Sequence, residues 1–242
     1  WKTRNDCPRS SMPRRQHPPV SEEEARRGIY IDFEGTMKDE ASLLGVLVCD
    51  DAGREEYYQA VFEKALWPAV RQAKPGQRHG YNPRVAEFSD TLYEVQRLAK
   101  EEDRRVFAYS NRELDEIRER LPLRMNVEWW EGHLINVLPF ARRWKKRHHP
   151  DVEFPRGPPG RSARHTLANY QKLIGYDVPQ TLGSGHSAKR LREVREMLNK
   201  RDGKFSQLTN TKKAFWTKAL RHNWHDCRGT RCLMIRCIQD IP

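Results

Sequence analysis

The stretch that most constrains this chain is IYIDFEG, residues 29–35. Ile29, Tyr30, Ile31 and Phe33 read as a buried strand, since β-branched and aromatic side chains suit a covered, pleated surface. Between and beside them stand Asp32 and Glu34. Residues two apart in a strand share a face, so the two carboxylates project together. Side by side they repel, unless protons or a cation offset the charge. Oxygen ligands of this kind suit Mg²⁺ or Mn²⁺. Gly35 allows a turn or a close approach immediately after them. The competing reading is an edge strand that carries two exposed acids.

Around this stretch the pattern is mixed. Apolar runs predict further strands at residues 42–50 and 55–63, with a turn at Asp51-Ala52-Gly53 between them. Three strands joined by short turns suggest an antiparallel meander. Residues 74–84 read as a loop. Val85, Phe88, Leu92 and Val95 recur at helical spacing, so 85–100 is an amphipathic helix. A fourth strand is expected over 104–110, then a short helix with Asn111 as N-cap. The helix expected over 130–149 should be kinked or divided at Pro139. Helical spacing continues over 161–175, 186–200 and 212–240. The fold class is α/β: a mixed sheet, a meander plus further strands, flanked by helices and followed by a helical C-terminal third. Residues 1–27, rich in Arg, Pro and Ser, read as a basic flexible tail with a short acidic run, and 28–242 as one domain.

Other acids can join the pair on the strand. Phe215, Ala219, His222, Asp226, Thr230, Leu233 and Cys237 keep to one stripe of the last helix. An Asp and a His one turn apart on such a stripe are costly unless ligated or paired. Glu113 and Asp115 open the helix after the fourth strand, where the helix dipole also favours acids. Either can be the third acid.

Charge points to a polyanion. The 242-residue chain carries a formal net charge of +12, which fits nucleic acid or a generously basic surface. Arg142, Arg143, Trp144, Lys145, Lys146 and Arg147 set an aromatic within a basic run, suited to phosphates and stacking. Lys212 and Lys213 form another basic stretch, as does the segment HSAKRLR (186–192). There is no apolar run long enough for a membrane span and no apolar signal core, so no membrane partner is expected. The absence of an initiator Met suggests a fragment of something longer. Five scattered cysteines argue against a disulfide framework and for a cytoplasmic or other reducing compartment. A zinc site from Cys227, Cys232, Cys237, His222 and His225 fails on geometry, because steps of five rotate successive helical cysteines by about 140°.

IYIDFEG, SLLGVLV, FAYSNREL and HNWHDC, in that order, resemble the acidic motifs of the DEDD superfamily of 3′→5′ exonucleases. They look most like the RNase H-like predicted exonucleases associated with RecB-type nucleases. LANYQKLIGYDVP and the text around HNWHDC support the likeness, which spans roughly residues 28–240. The resemblance implies an RNase H-like sheet and hydrolysis of phosphodiester bonds with two Mg²⁺ or Mn²⁺ ions. It assigns the metals to Asp32, Glu34, Asp226 and a middle acid, Glu113 in the nearer branch or Asp115 in the wider superfamily. His222 stands where that branch commonly has Tyr, and would orient or deprotonate a water. Nucleic acid, DNA or RNA, is the implied partner, together with a fused or neighbouring nuclease or helicase domain. The alternative is an RNase H-like module that binds nucleic acid without cutting it.

Overall fold

The computed structural model describes residues 19–35, 40–50, 52–72, 81–121, 127–155, 164–183 and 186–240. In chain order the elements are α1 (Glu22–Arg26), β1 (Ile29–Glu34), β2 (Leu43–Cys49), β3 (Glu55–Val61), α2 (Trp67–Gln72), β4 (Pro83–Val85), α3 (Phe88–Glu101), β5 (Val106–Ala108), α4 (Arg112–Arg120), α5 (Val127–His133), β6 (Leu134–Asn136), α6 (Leu138–His148), α7 (Leu167–Leu173), α8 (Ser187–Lys200) and α9 (Asn210–Gln239).

The strands form one six-stranded mixed sheet in the order β4-β3-β2-β1-β5-β6. The expected meander is present: β1 pairs antiparallel with β2, and β2 with β3. β5 and β6 join on the other side of β1, both parallel to it. β1 is therefore an inner strand, and the edge-strand reading of its two acids does not hold.

Alternation on β1 sorts the two layers. Ile29, Ile31 and Phe33 face a core built with Phe88, Leu92 and Val95 of α3, Ile117 of α4 and Trp129 and Trp130 of α5. Tyr30 faces the opposite side, where its ring stacks on Phe107 at 4.8 Å. That side is covered by α9, a 30-residue helix about 45 Å long. Near its start, Trp216, Ala219 and Leu220 pack on Leu43 and Val61. Towards its end, Leu233, Met234 and Cys237 pack in the cluster that holds Tyr30, Leu47 and Phe107. α7 crosses α9 at Gly229, where a Cβ would lie 2.0 Å from Gln171 Nε2.

Two strands differ from the sequence reading. β4 falls at the end of the segment read as a loop; Pro83 opens this edge strand, where its missing N–H matters least. β6 falls inside the segment read as one helix. Pro139 does divide that segment: it occupies the first turn of α6, where no N–H is needed, and the residues before it bond to β5. Part of the segment read as a flexible tail, residues 22–26, is helical. Ser21 caps α1 in a reciprocal capping box with Glu24, and the hydroxyl of Tyr30 donates to Ala25 O at 2.6 Å. Residues 1–18 lie outside the described residues, as do 161–163 of the expected 161–175 helix. Among the described residues no helix is long and apolar enough to cross a membrane.

Candidate metal centre

Because β1, β5 and β6 run parallel, their carboxyl ends open on one edge of the sheet, the side where open α/β sheets hold their ligands. Asp32 and Glu34 end β1 at that edge. The turn after β5 brings Ser110 and Glu113 to it, and α9 brings His222 and Asp226 across the face that both β1 acids share.

One ligand atom each from Glu34, His222 and Asp226 lie within 4.8 Å of one another. His222 Nδ1 is 2.9 Å from Asp226 Oδ2 and 3.6 Å from Glu34 Oε1, and the three side chains are 13%, 19% and 12% exposed. The contact with Asp226 has the distance of an ion pair but not the direction of a hydrogen bond: Nδ1 and Glu34 Oε1 both end buried with no aligned partner. A buried carboxylate oxygen without a partner, beside an imidazole nitrogen that has a lone pair when neutral, is what a cation would satisfy. The group can hold a metal ion.

Charge crowds the same place. Burial first, and then Asp226, Glu34 and Glu113, hold the Asp32 carboxyl well above the usual carboxylate range; a hydrogen bond from Asn223 works the other way. Burial also raises Glu113, against hydrogen bonds from Ser110. Burial lowers His222, but the approaches of Asp226 and Glu34 outweigh it and push the imidazole up to about 11. Without a metal, His222 is thus an imidazolium that serves as the counter-charge of the cluster.

The two candidates for the middle acid part company. Glu113 is buried, and its Oε2 accepts from Ser110 Oγ at 3.0 Å. Asp115 is turned outward, 59% exposed and paired with Arg118 at 3.2 Å. Positions two apart on a helix differ by about 200°, so only one of them can face the sheet. Asp32 and Glu113 are tied to the cluster by charge, while the tight group is Glu34, His222 and Asp226.

No family model, curated protein or solved structure matches this chain. The reading of the site rests on its own geometry.

The basic residues are scattered more than the sequence suggests. Arg142, Arg143, Lys146 and Arg147 are exposed on α6. Trp144 is not offered for stacking: it is 2% exposed, and its indole N–H donates to Asp240 Oδ2 at 2.8 Å. Helical spacing turns it away from its charged neighbours. Lys145 donates to His149 O, Lys212 pairs with Glu193 and Lys213 donates to Ser206 O. Arg190, in the stretch HSAKRLR, has a buried Nη1 with no hydrogen-bond partner; burial lowers its pKa and the charge of Glu34 raises it. The four described cysteines are free, three of them buried. Cys7 lies outside the described residues.

Sequence reasoning passed over Asn223. It is fully buried beside His222, and its amide donates to Asp32 Oδ2 at 2.7 Å and to Asp32 O at 2.9 Å. The signal lay in Gly45, a glycine amid Leu and Val: a Cβ there would sit 2.2 Å from Asn223 Oδ1.

Proposed function

We propose that this chain is a metal-dependent nuclease with an RNase H-like domain, hydrolysing phosphodiester bonds from the 3′ end. The observation that carries the reading is the meeting of Glu34, His222 and Asp226, with the Asp32 and Glu113 carboxylates close enough to raise the charge of the same site. The order of elements supports it: with α2 and the edge strand β4 set aside, a three-strand meander, α3, β5 and α4 follow one another as an RNase H-like fold begins.

Asp32, Glu34, Glu113 and Asp226 would hold two Mg²⁺ or Mn²⁺ ions. Bound there, such ions supply an acidified water and positive charge for the phosphoryl oxygens. With a cation held by Glu34 and Asp226, His222 would lose the negative neighbours that keep its proton, and as the neutral imidazole would orient water or accept its proton. Arg190, near enough to Glu34 to feel its charge, would be the cation to meet a phosphate oxygen.

Digestion of 5′-labelled single-stranded and duplex DNA and RNA tests the reading. A ladder that shortens from the 3′ end, dependent on Mn²⁺ or Mg²⁺ and abolished by chelation or by Asp32→Ala, is the expected result. Full-rate cleavage by Asp32→Ala would place the chemistry elsewhere. His222 favours one rival: as a resident imidazolium it offsets part of the charge of Glu34 and Asp226 without a metal, as a binding module without metals would require. Binding of nucleic acid with no uptake of Mn²⁺ would support that rival.

A further inference from the structure

Three strands present one row of residues to α9: Asp32 on β1, Gly45 on β2 and Gln59 on β3 are direct partners across the sheet. Over the gap at Gly45 a chain of buried polar groups runs from Gln59 to Asp32. Gln59 Oε1 accepts from the backbone N–H of Asn82 at 3.0 Å. Gln59 Nε2 donates to the carbonyl of Leu220 at 3.0 Å and to the hydroxyl of Tyr57 at 3.0 Å. Tyr57 in turn donates to Asn223 Oδ1 at 2.7 Å, and Asn223 Nδ2 donates to Asp32.

The direction of this chain is fixed at its far end. A backbone N–H can only donate and a backbone carbonyl can only accept. Asn82 and Leu220 therefore set which end of the Gln59 amide is which. Because Gln59 gives Tyr57 a hydrogen, the hydroxyl hydrogen must go to Asn223. Because Asn223 receives it on oxygen, its NH₂ must face Asp32. Reversing the amide would aim an oxygen at a carboxylate and leave the Tyr57 hydrogen unmatched, and buried orphans of this kind are costly.

We infer that Asn223 is a positioning residue for the metal centre: it holds Asp32 Oδ2, so that Oδ1 is the oxygen of Asp32 that can be given to a cation. The inference rests on the nuclease reading and adds to it a role for Asn223, which the stretch HNWHDC contains without one, and a supporting chain through Tyr57 and Gln59. Gly45 belongs to the device by having no side chain. A methyl group there would strike Asn223 Oδ1, and also the Tyr57 hydroxyl at 2.8 Å.

Mn²⁺ titration of the full chain, followed by the electron-spin resonance signal of free Mn²⁺, needs no substrate and no turnover. Asn223→Ala is expected to weaken binding by about 10- to 100-fold, the usual effect of losing a group that orients a metal ligand. Tyr57→Phe leaves Asn223 in place and frees its amide to turn, so a loss of several-fold is expected. Gly45→Ala should imitate Asn223→Ala without removing any polar group, and should also change the spectrum of bound Mn²⁺. If Asn223→Ala does not fold, Tyr57→Phe and Gly45→Ala still decide the matter. A parent-like Mn²⁺ affinity in the folded variants would overturn the role of Asn223 and leave the nuclease reading standing. Failure of the parent chain itself to take up Mn²⁺ would overturn both.

Discussion

His222 stands between two carboxylates and takes its character from them. Its imidazole is raised from 6.5 to about 11, so the folded protein holds that proton more tightly than the unfolded chain does. The stability it contributes is complete below about pH 6.5 and is lost as pH rises through about 11. Asp32, also raised, acts in the same sense, since its contribution is complete below its ordinary value and falls as pH rises. Thermal melts of the metal-free protein should therefore decline from pH 6.5 upward, and His222→Ala should flatten that decline. A melting temperature that climbs over this range would contradict the pairing. In turnover, His222→Ala should cost roughly 10²-fold if the imidazole serves as general base. His222→Tyr should keep appreciable activity. Parent rate and pH profile in His222→Ala would leave the carboxylates to act alone.

Two helices show how an element decides what a residue can do. Along α6 the charged side chains face out while Trp144 packs inward against α9 and bonds to Asp240. Trp144→Ala is expected to lower stability by about 3–5 kcal/mol through the cavity it leaves, with nucleic-acid affinity unchanged once the folded fraction is accounted for. Reversing Arg142, Arg143, Lys146 and Arg147 to Glu should do the opposite: unchanged melting, weaker binding. Denaturant melts beside a fluorescence binding assay separate the two. α9 works differently. Its covered side is apolar at Trp216, Ala219 and Leu220 and again at Leu233, Met234 and Cys237, so that these two stretches fix it to the sheet and the polar stretch between them delivers Asn223, His222 and Asp226 to β1.

For the molecule as a whole, the acids of the site and the exposed cations of α6 stand apart. Asp32, Glu34, Glu113 and Asp226 gather at the carboxyl edge of the sheet, while Arg142, Arg143, Lys146 and Arg147 are exposed on α6. Binding and hydrolysis should then come apart. Asp32→Ala is expected to bind a single-stranded oligonucleotide about as well as the parent and to cut none of it. Its affinity should fall steeply with salt, by roughly 0.7 in the logarithm for each phosphate neutralised per decade of salt. Affinity insensitive to salt would mean that the basic surface is not the binding face.

The sequence by itself determined the meander, the long last helix and the pairing of Asp32 with Glu34. Each rests on a local period, two for strands and near four for helices, which survives any packing. It also placed His222 and Asp226 one turn apart. It could not choose between Glu113 and Asp115, because both lie in one helical turn and only the direction of the sheet selects the inward one. It did not show β4 or β6, since each is three residues long and is a strand only by bonding to a neighbour. Nor did it show Asn223, whose work depends on a gap at Gly45 and a hydroxyl from Tyr57. These contacts join residues 166 or more positions apart along the chain, and only the tertiary fold brings them together.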